Sequence, residues 1–239
     1  GSSTMGQVDL NFRPSVPVFD ANVTLGRSHD ARVSVDSAAG TLRAMDRNGI
    51  DRALVYSAHS AGLDPREGNQ MLLEMARESS RLKPQFVGCP TFEELEAFAA
   101  TVDAAGIRSV RLFPKEHGYP FCDWVVGPWL QWLAREQLPL WIGVDQVDPA
   151  EFHDTMKGYP DVTAVVCEAH YSHYSWVMPL LRSLPNLWVE LSRFVIADGI
   201  PRLLETVGPQ RILYGSLFPS CEPGPQLYNL HHCKLGQET

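Results

Sequence analysis

The sequence predicts an α/β chain folded as a (β/α)8 TIM barrel, and three observations predict it. Short apolar runs recur along the 239 residues, each followed by a segment whose apolar residues fall at helical spacing. Strands separated by helices pair in parallel, because antiparallel neighbours need only a hairpin between them. Eight such runs are found, and the length lies within the roughly 200 to 400 residues usual for that barrel. An open doubly wound sheet shares the alternation, but no GxGxxG motif follows the first strand to support its dinucleotide-binding version.

The elements follow in order. Val16 to Phe19 is β-rich and leads into Asp20 to Gly26, the first strand and its loop. Leu42, Met45 and Ile50 mark an amphipathic helix from Ser37 to Asn48, with Gly49 as C-cap. Ala53 to Tyr56 is the second strand, and Asn69 to Leu82 a helix that Pro84 ends. Gln85 to Cys89 is the third strand. Thr91 is read as the cap of the next helix, whose first turn carries Glu93 and Glu94 and which Gly106 closes. Ile107 to Phe113 is strand four, followed by a loop over 114–122 and a helix carrying Trp129, Trp132 and Leu133. Leu138 to Val144, Val162 to Cys167 and Leu187 to Leu191 are strands five, six and seven, with helices at Pro149 to Lys157, Trp176 to Leu184 and Ile200 to Val207 between and after them. Strand eight is Ile212 to Tyr214, stopped by Gly215 and Pro219.

No linker divides the chain, so residues 5–239 read as a single domain, and Gly1 to Thr4 read as a cloning remnant. Past Pro219 there is only a short helical stretch around Leu227 to Leu235, an incomplete or atypical last helix. A gap in the outer ring would expose an apolar patch, and a homo-oligomer is therefore expected to cover it. The net charge of −8 argues against a nucleic-acid partner or an anionic membrane surface. No apolar run approaches the roughly 20 residues that span a bilayer. A cytoplasmic protein is the expectation, and the five cysteines, without a CxxC pair, are expected to be free thiols.

In barrels of this type the chemistry collects at the C-terminal ends of the strands. Residues two apart on a strand share a face, which pairs Asn22 with Thr24, Gly143 with Asp145 and Glu168 with His170. Arg111 adds a charge inside an apolar strand. After the buried sixth strand, Glu168 to Tyr174 is dense in titratable and hydrogen-bonding groups.

Five stretches carry a resemblance: Asp20 to Gly26, Asn48 to Ala53, Leu138 to Ile142, Pro185 to Ser192 and Gly208 to Pro219. In order and spacing they resemble the amidohydrolase-related family, the branch of the amidohydrolase superfamily with decarboxylases of the aminocarboxymuconate semialdehyde type and lactonases. The resemblance implies a (β/α)8 barrel and, in typical members, a divalent metal, commonly zinc. Its ligands come from Asp-x-His-x-His on strand one, a His ending strand five, often a His ending strand six, and an Asp in a Gly-Ser-Asp-x-Pro turn after strand eight. At those positions this chain has Asn22, Thr24, Gly143, Glu168 and Leu217. Zinc takes deprotonated or neutral N, O and S donors, so Asn and Thr are weak ligands while Gly and Leu are none. The implied expectation is that the family metal site is lost and no cofactor is held.

Three readings follow. In the first, a metal-free barrel binds, or converts by acid/base chemistry, a small carboxylated or cyclic molecule: Glu168 and His170 are the acid and base, Arg111 anchors a carboxylate, Trp141 stacks on a ring and Arg193 binds an anion. Asn22, Thr24, Asp145 and Leu217 complete the lining. The plainer alternatives are a salt bridge between Glu168 and Arg111 filling the mouth, a loop histidine at 170, barrel packing by Trp141 and an exposed charge at Arg193; His59, after strand two, is undecided. In the second reading Asp145, Glu168 and His170 hold a rearranged metal site, with zinc as the ion. In the third the chain is a non-catalytic accessory subunit whose surface matters.

Overall fold

The computed structural model describes residues 19–25, 38–62, 64–190, 205 and 211–213. Among the described residues nine parallel strands make the barrel wall: β1 (Phe19–Leu25), β2 (Arg52–Ser57), β3 (Leu82–Pro84), β4 (Phe86–Gly88), β5 (Val110–Leu112), β6 (Leu140–Gly143), β7 (Ala164–Cys167), β8 (Leu187–Glu190) and β9 (Ile212–Leu213). They hydrogen-bond in the orders β1-β2-β3 and β4-β5-β6-β7-β8-β9. The break between the two sheets is one residue wide. Pro84 has no N–H to donate, and Gln85 restores the link through its own N–H to Val55 O at 2.7 Å. β3 and β4 are thus a single barrel strand interrupted at Gln85, giving the eight positions of a (β/α)8 barrel.

The helices are α1 (Ala38–Asn48), α2 (Ala58–Gly62), α3 (Pro65–Ala76), α4 (Leu95–Ala105), α5 (Asp123–Glu136), α6 (Pro149–Met156) and α7 (Tyr174–Ser183). Their starts follow local chemistry. Asp64 and Asp148 each accept an N–H from the residue three further on, and Pro65 and Pro149 occupy the first turn where their missing N–H costs nothing. Gly49 and Gly106 end α1 and α4 in the left-handed region, as their positions in the sequence predict.

Two expectations are corrected. The helix expected over Asn69–Leu82 runs from Pro65 to Ala76, because Asp64 and Pro65 form a stronger start signal; Leu82 belongs to β3. Thr91 does not cap α4, which begins at Leu95 after Glu94; Thr91 Oγ1 instead lies 3.6 Å from Cys89 Sγ. The Ile200–Val207 helix and the tail lie outside the described residues, apart from Glu205.

Alternation along the strands divides the core into two layers. On β6, Leu140 and Ile142 pack outward with Trp129, Leu133 and Phe152 of the helices, whereas Trp141 packs with Val165, Cys167, Leu54, Trp188 and Leu213. A second inner cluster holds Tyr56, Val87 and Phe113. Side chains thus fill the barrel, as expected for a closed array of eight. Arg211 fastens the last strand: its guanidinium donates to Leu187 O, Leu181 O and Leu184 O, satisfying carbonyls at the end of α7.

Candidate functional site

The polar tier of the interior is built on Arg111. It stands mid-strand in β5, is only 1 % exposed, and points across the barrel. Nη1 donates to Asn22 Oδ1 at 2.9 Å, and Nη2 donates to Glu168 Oε1 at 3.2 Å. The guanidinium carbon lies 4.2 Å from the centre of the Tyr56 ring and 5.2 Å from that of Phe113, within the range of cation–π attraction. Burial works against the charge, but Tyr56, Cys167, Glu168 and Glu190 around it more than offset this and hold Arg111 above its ordinary pKa. Burial also pushes the Tyr56 hydroxyl and the Cys167 thiol up, so both keep their protons at neutral pH.

Local backbone geometry brings the partners in. The β1–β2 register shifts between Asp20 and Val23, a bulge that gives β1 one extra residue and turns Asn22 inward. Asn22 N–H donates to Asp20 Oδ1 at 3.2 Å, and Asn22 Nδ2 donates to Glu190 Oε2 at 3.0 Å. Glu168 follows β7 directly with φ of 63°, a left-handed conformation that costs a non-glycine residue of order 1 kcal/mol. Its N–H donates to the same Glu190 oxygen at 3.2 Å. Glu190, fully buried, therefore supports both residues that face Arg111.

Thr24 shares a side-chain hydrogen bond with the Tyr56 hydroxyl. A side chain at Gly143 would point at Glu168 Oε2, 3.8 Å from a Cβ built there. The strand-one, strand-five and strand-six positions singled out in the sequence thus converge. Asp145 is placed differently from the strand alternation: β6 ends at Gly143, and Val144–Gln146 is a 3-10 turn. Asp145 Oδ1 meets His173 Nε2 at 2.9 Å, while His173 Nδ1 accepts the His170 N–H at 3.0 Å. His170 likewise stands past the end of β7, with Nδ1 3.3 Å from Ser172 Oγ. His59 pairs with Glu67 at the surface. Arg193 and Leu217 lie outside the described residues.

Sequence reasoning passed over three members of this site: Glu190, Tyr56 and His173. Glu190 carried the signal that singled out Arg111, a charge inside an apolar run. Tyr56 carried none that separates it from packing residues, and His173 lay within the dense Glu168–Tyr174 run without being picked out of it.

Two buried donors at this level have no acceptor among the described residues: Arg111 Nε and Trp141 Nε1. The residues are direct register partners on β5 and β6, so both side chains leave the sheet on its inner face. Trp141 is 5 % exposed.

The fold is a parallel (β/α)8 barrel with ionisable groups gathered in its interior and toward the C-terminal strand ends. Residues 19–234 match the amidohydrolase family model, and the chain belongs to that family. No curated protein matches it in sequence. Among solved structures it resembles the 5-carboxyvanillate decarboxylase of Novosphingobium aromaticivorans, complexed with manganese and 4-hydroxy-3-methoxy-5-nitrobenzoic acid, with a TM-score of 0.72, 12% identity and 90% of each chain covered. It also resembles a putative 2-pyrone-4,6-dicarboxylic acid hydrolase from Pseudomonas putida, with a TM-score of 0.68, 16% identity, and 93% of this chain and 92% of that one covered. A third likeness is an uncharacterized TIM-barrel protein from Bordetella bronchiseptica, with a TM-score of 0.70, 14% identity, and 92% and 91% covered.

Asn22 and Glu168, described residues at metal positions that the resemblance implies, are engaged with one another through Arg111. Asn22 Oδ1 and Glu168 Oε1 both face the Arg111 guanidinium, and Gly143 offers no donor. Asp145 is turned to His173. Among the described residues no group of three His, Cys, Asp or Glu is arranged to hold an ion. Also among them, no helix is long and apolar enough to cross a membrane.

Proposed function

We propose that this chain is a metal-free member of the amidohydrolase family that binds a small carboxylated molecule at the C-terminal mouth of its barrel. The observation that carries the reading is the pair of orphaned donors, Arg111 Nε–H and Trp141 Nε1–H. A buried donor left unmade costs about 1–3 kcal/mol, and two on register-paired residues call for a ligand that brings acceptor oxygens. A fixed guanidinium favours a carboxylate among such ligands, and the Trp141 ring favours a planar body. Glu168, 22 % exposed while its partner Arg111 is buried, is the ionisable group between the interior and the mouth. It is the candidate for proton transfer, with His170 beside it in the following loop.

Titration calorimetry in EDTA tests this with benzoate, 4-hydroxybenzoate and isophthalate, each against its primary amide. The carboxylates are expected to bind at least ten-fold tighter than the amides. Equal binding of the amides, or binding that disappears with EDTA, contradicts the proposal.

A further inference from the structure

We propose that Arg111 is the resident cation of this barrel and that its guanidinium shuts a divalent metal out. Asn22 Oδ1 and Glu168 Oε1 come from opposite sides of the barrel and converge on one positive group, at 2.9 and 3.2 Å. A metal drawing on the same two oxygens at about 2.0–2.2 Å would stand against that group inside a buried site, where like charges repel strongly. The carboxamide of Asn22 is also oriented for the guanidinium: its oxygen faces Arg111 because its nitrogen is held by Glu190. The Tyr56 and Phe113 rings flank the guanidinium carbon, and such faces suit a broad, weakly hydrated cation better than a small, strongly hydrated ion. Glu190 completes the arrangement as the buried anion that holds both Asn22 and the Glu168 backbone.

Removing the guanidinium takes away the cation that Asn22 Oδ1 and Glu168 Oε1 face, beside the Glu190 carboxylate that holds Asn22 Nδ2. Hard divalent ions such as Mn²⁺ take oxygen donors of this kind. The Arg111→Ala chain gains a Mn²⁺ site that the wild-type chain lacks. The inference does not depend on carboxylate binding: a wild-type chain that takes up Mn²⁺ and still binds benzoate would sink this proposal and leave the proposed function's ligand class standing.

Electron paramagnetic resonance of Mn²⁺ titrated into the 239-residue chain, with thermal melting alongside, tests it. The wild type is expected to leave Mn²⁺ free and to melt at the same temperature with Mn²⁺ or EDTA. Arg111→Ala is expected to melt lower, to bind Mn²⁺ at least ten-fold tighter than wild type, and to regain part of its melting temperature on binding. Arg111→Lys, which retains a cation, is expected to leave Mn²⁺ free. One Mn²⁺ bound per wild-type chain overturns the proposal even if Arg111→Ala does not fold, as does a folded Arg111→Ala chain with no gain in Mn²⁺ affinity.

Discussion

Asn22 Nδ2 donates to Glu190 Oε2 at 3.0 Å, although the two residues stand 168 positions apart. The contact joins the first strand to the eighth labelled strand through the barrel and fixes which end of the Asn22 carboxamide meets Arg111. Asn22→Asp removes the donor and sets two carboxylates against each other. The variant is expected to lose about 2–4 kcal/mol in urea unfolding at pH 8.

Trp141→Phe keeps an aromatic ring on β6 and removes one orphaned donor. Relief of the unmade hydrogen bond offsets the smaller ring, so unfolding free energy is expected to change by less than about 1 kcal/mol. Benzoate affinity in the same preparation is expected to fall at least ten-fold. A purely packing role for Trp141 predicts the reverse: stability lost, affinity unchanged.

Glu93 supplies a pH dependence whose sign follows from its burial. Burial raises its carboxyl from 4.5 to about 7, against a hydrogen bond from Cys89 N–H and the nearby Arg66 charge, which both lower it. The folded chain then holds a proton that the unfolded chain releases, so stability falls as pH rises from about 4.5 through 7. Glu93→Gln retains the acceptor for Cys89 N–H and cannot ionise. Its melting temperature is expected to vary less than that of wild type between pH 5 and pH 8, with the variant gaining on wild type at the alkaline end.

Gly68 on α3 passes close to α2. A Cβ there would stand 2.2 Å from Ser60 Oγ and 2.4 Å from Ser60 N, and backbone cannot step aside as a flexible side chain does. Gly68→Ala is expected to cost about 1–3 kcal/mol or more in urea unfolding. Gly62→Ala, with none of the described residues within 4 Å of its Cβ, is the matched control and is expected to change stability by less than about 0.5 kcal/mol.

The barrel was legible because its signals are local and repeated. Leu140, Ile142 and their counterparts alternate with inward residues, and Gly49, Gly106 and Pro149 mark helix ends that the structure bears out. Where two local signals compete, the sequence was ambiguous. Asp64 and Pro65 opened α3 ahead of its apolar stripe, and Pro84 interrupted a strand instead of merely preceding one. The site was partly legible. Arg111 and Glu168 stand out as charges in or beside apolar strands, and their meeting at 3.2 Å was one of the two readings open for them. Glu190 was passed over although β8 gives it the same signature. Asp145 was assigned by strand alternation past the point where β6 ends, and only the 3-10 turn turns it toward His173.

Arg111 Nε–H and Trp141 Nε1–H are proposed to bind the acceptor oxygens of one ligand. A crystal structure of the EDTA-treated protein soaked with benzoate tests it most directly. Carboxylate oxygens are expected within hydrogen-bonding distance of Arg111 Nε and Trp141 Nε1, with Asn22 and Glu168 still on the guanidinium. A metal ion coordinated by Asn22 and Glu168 in the untreated protein, or benzoate bound away from both donors, would contradict it.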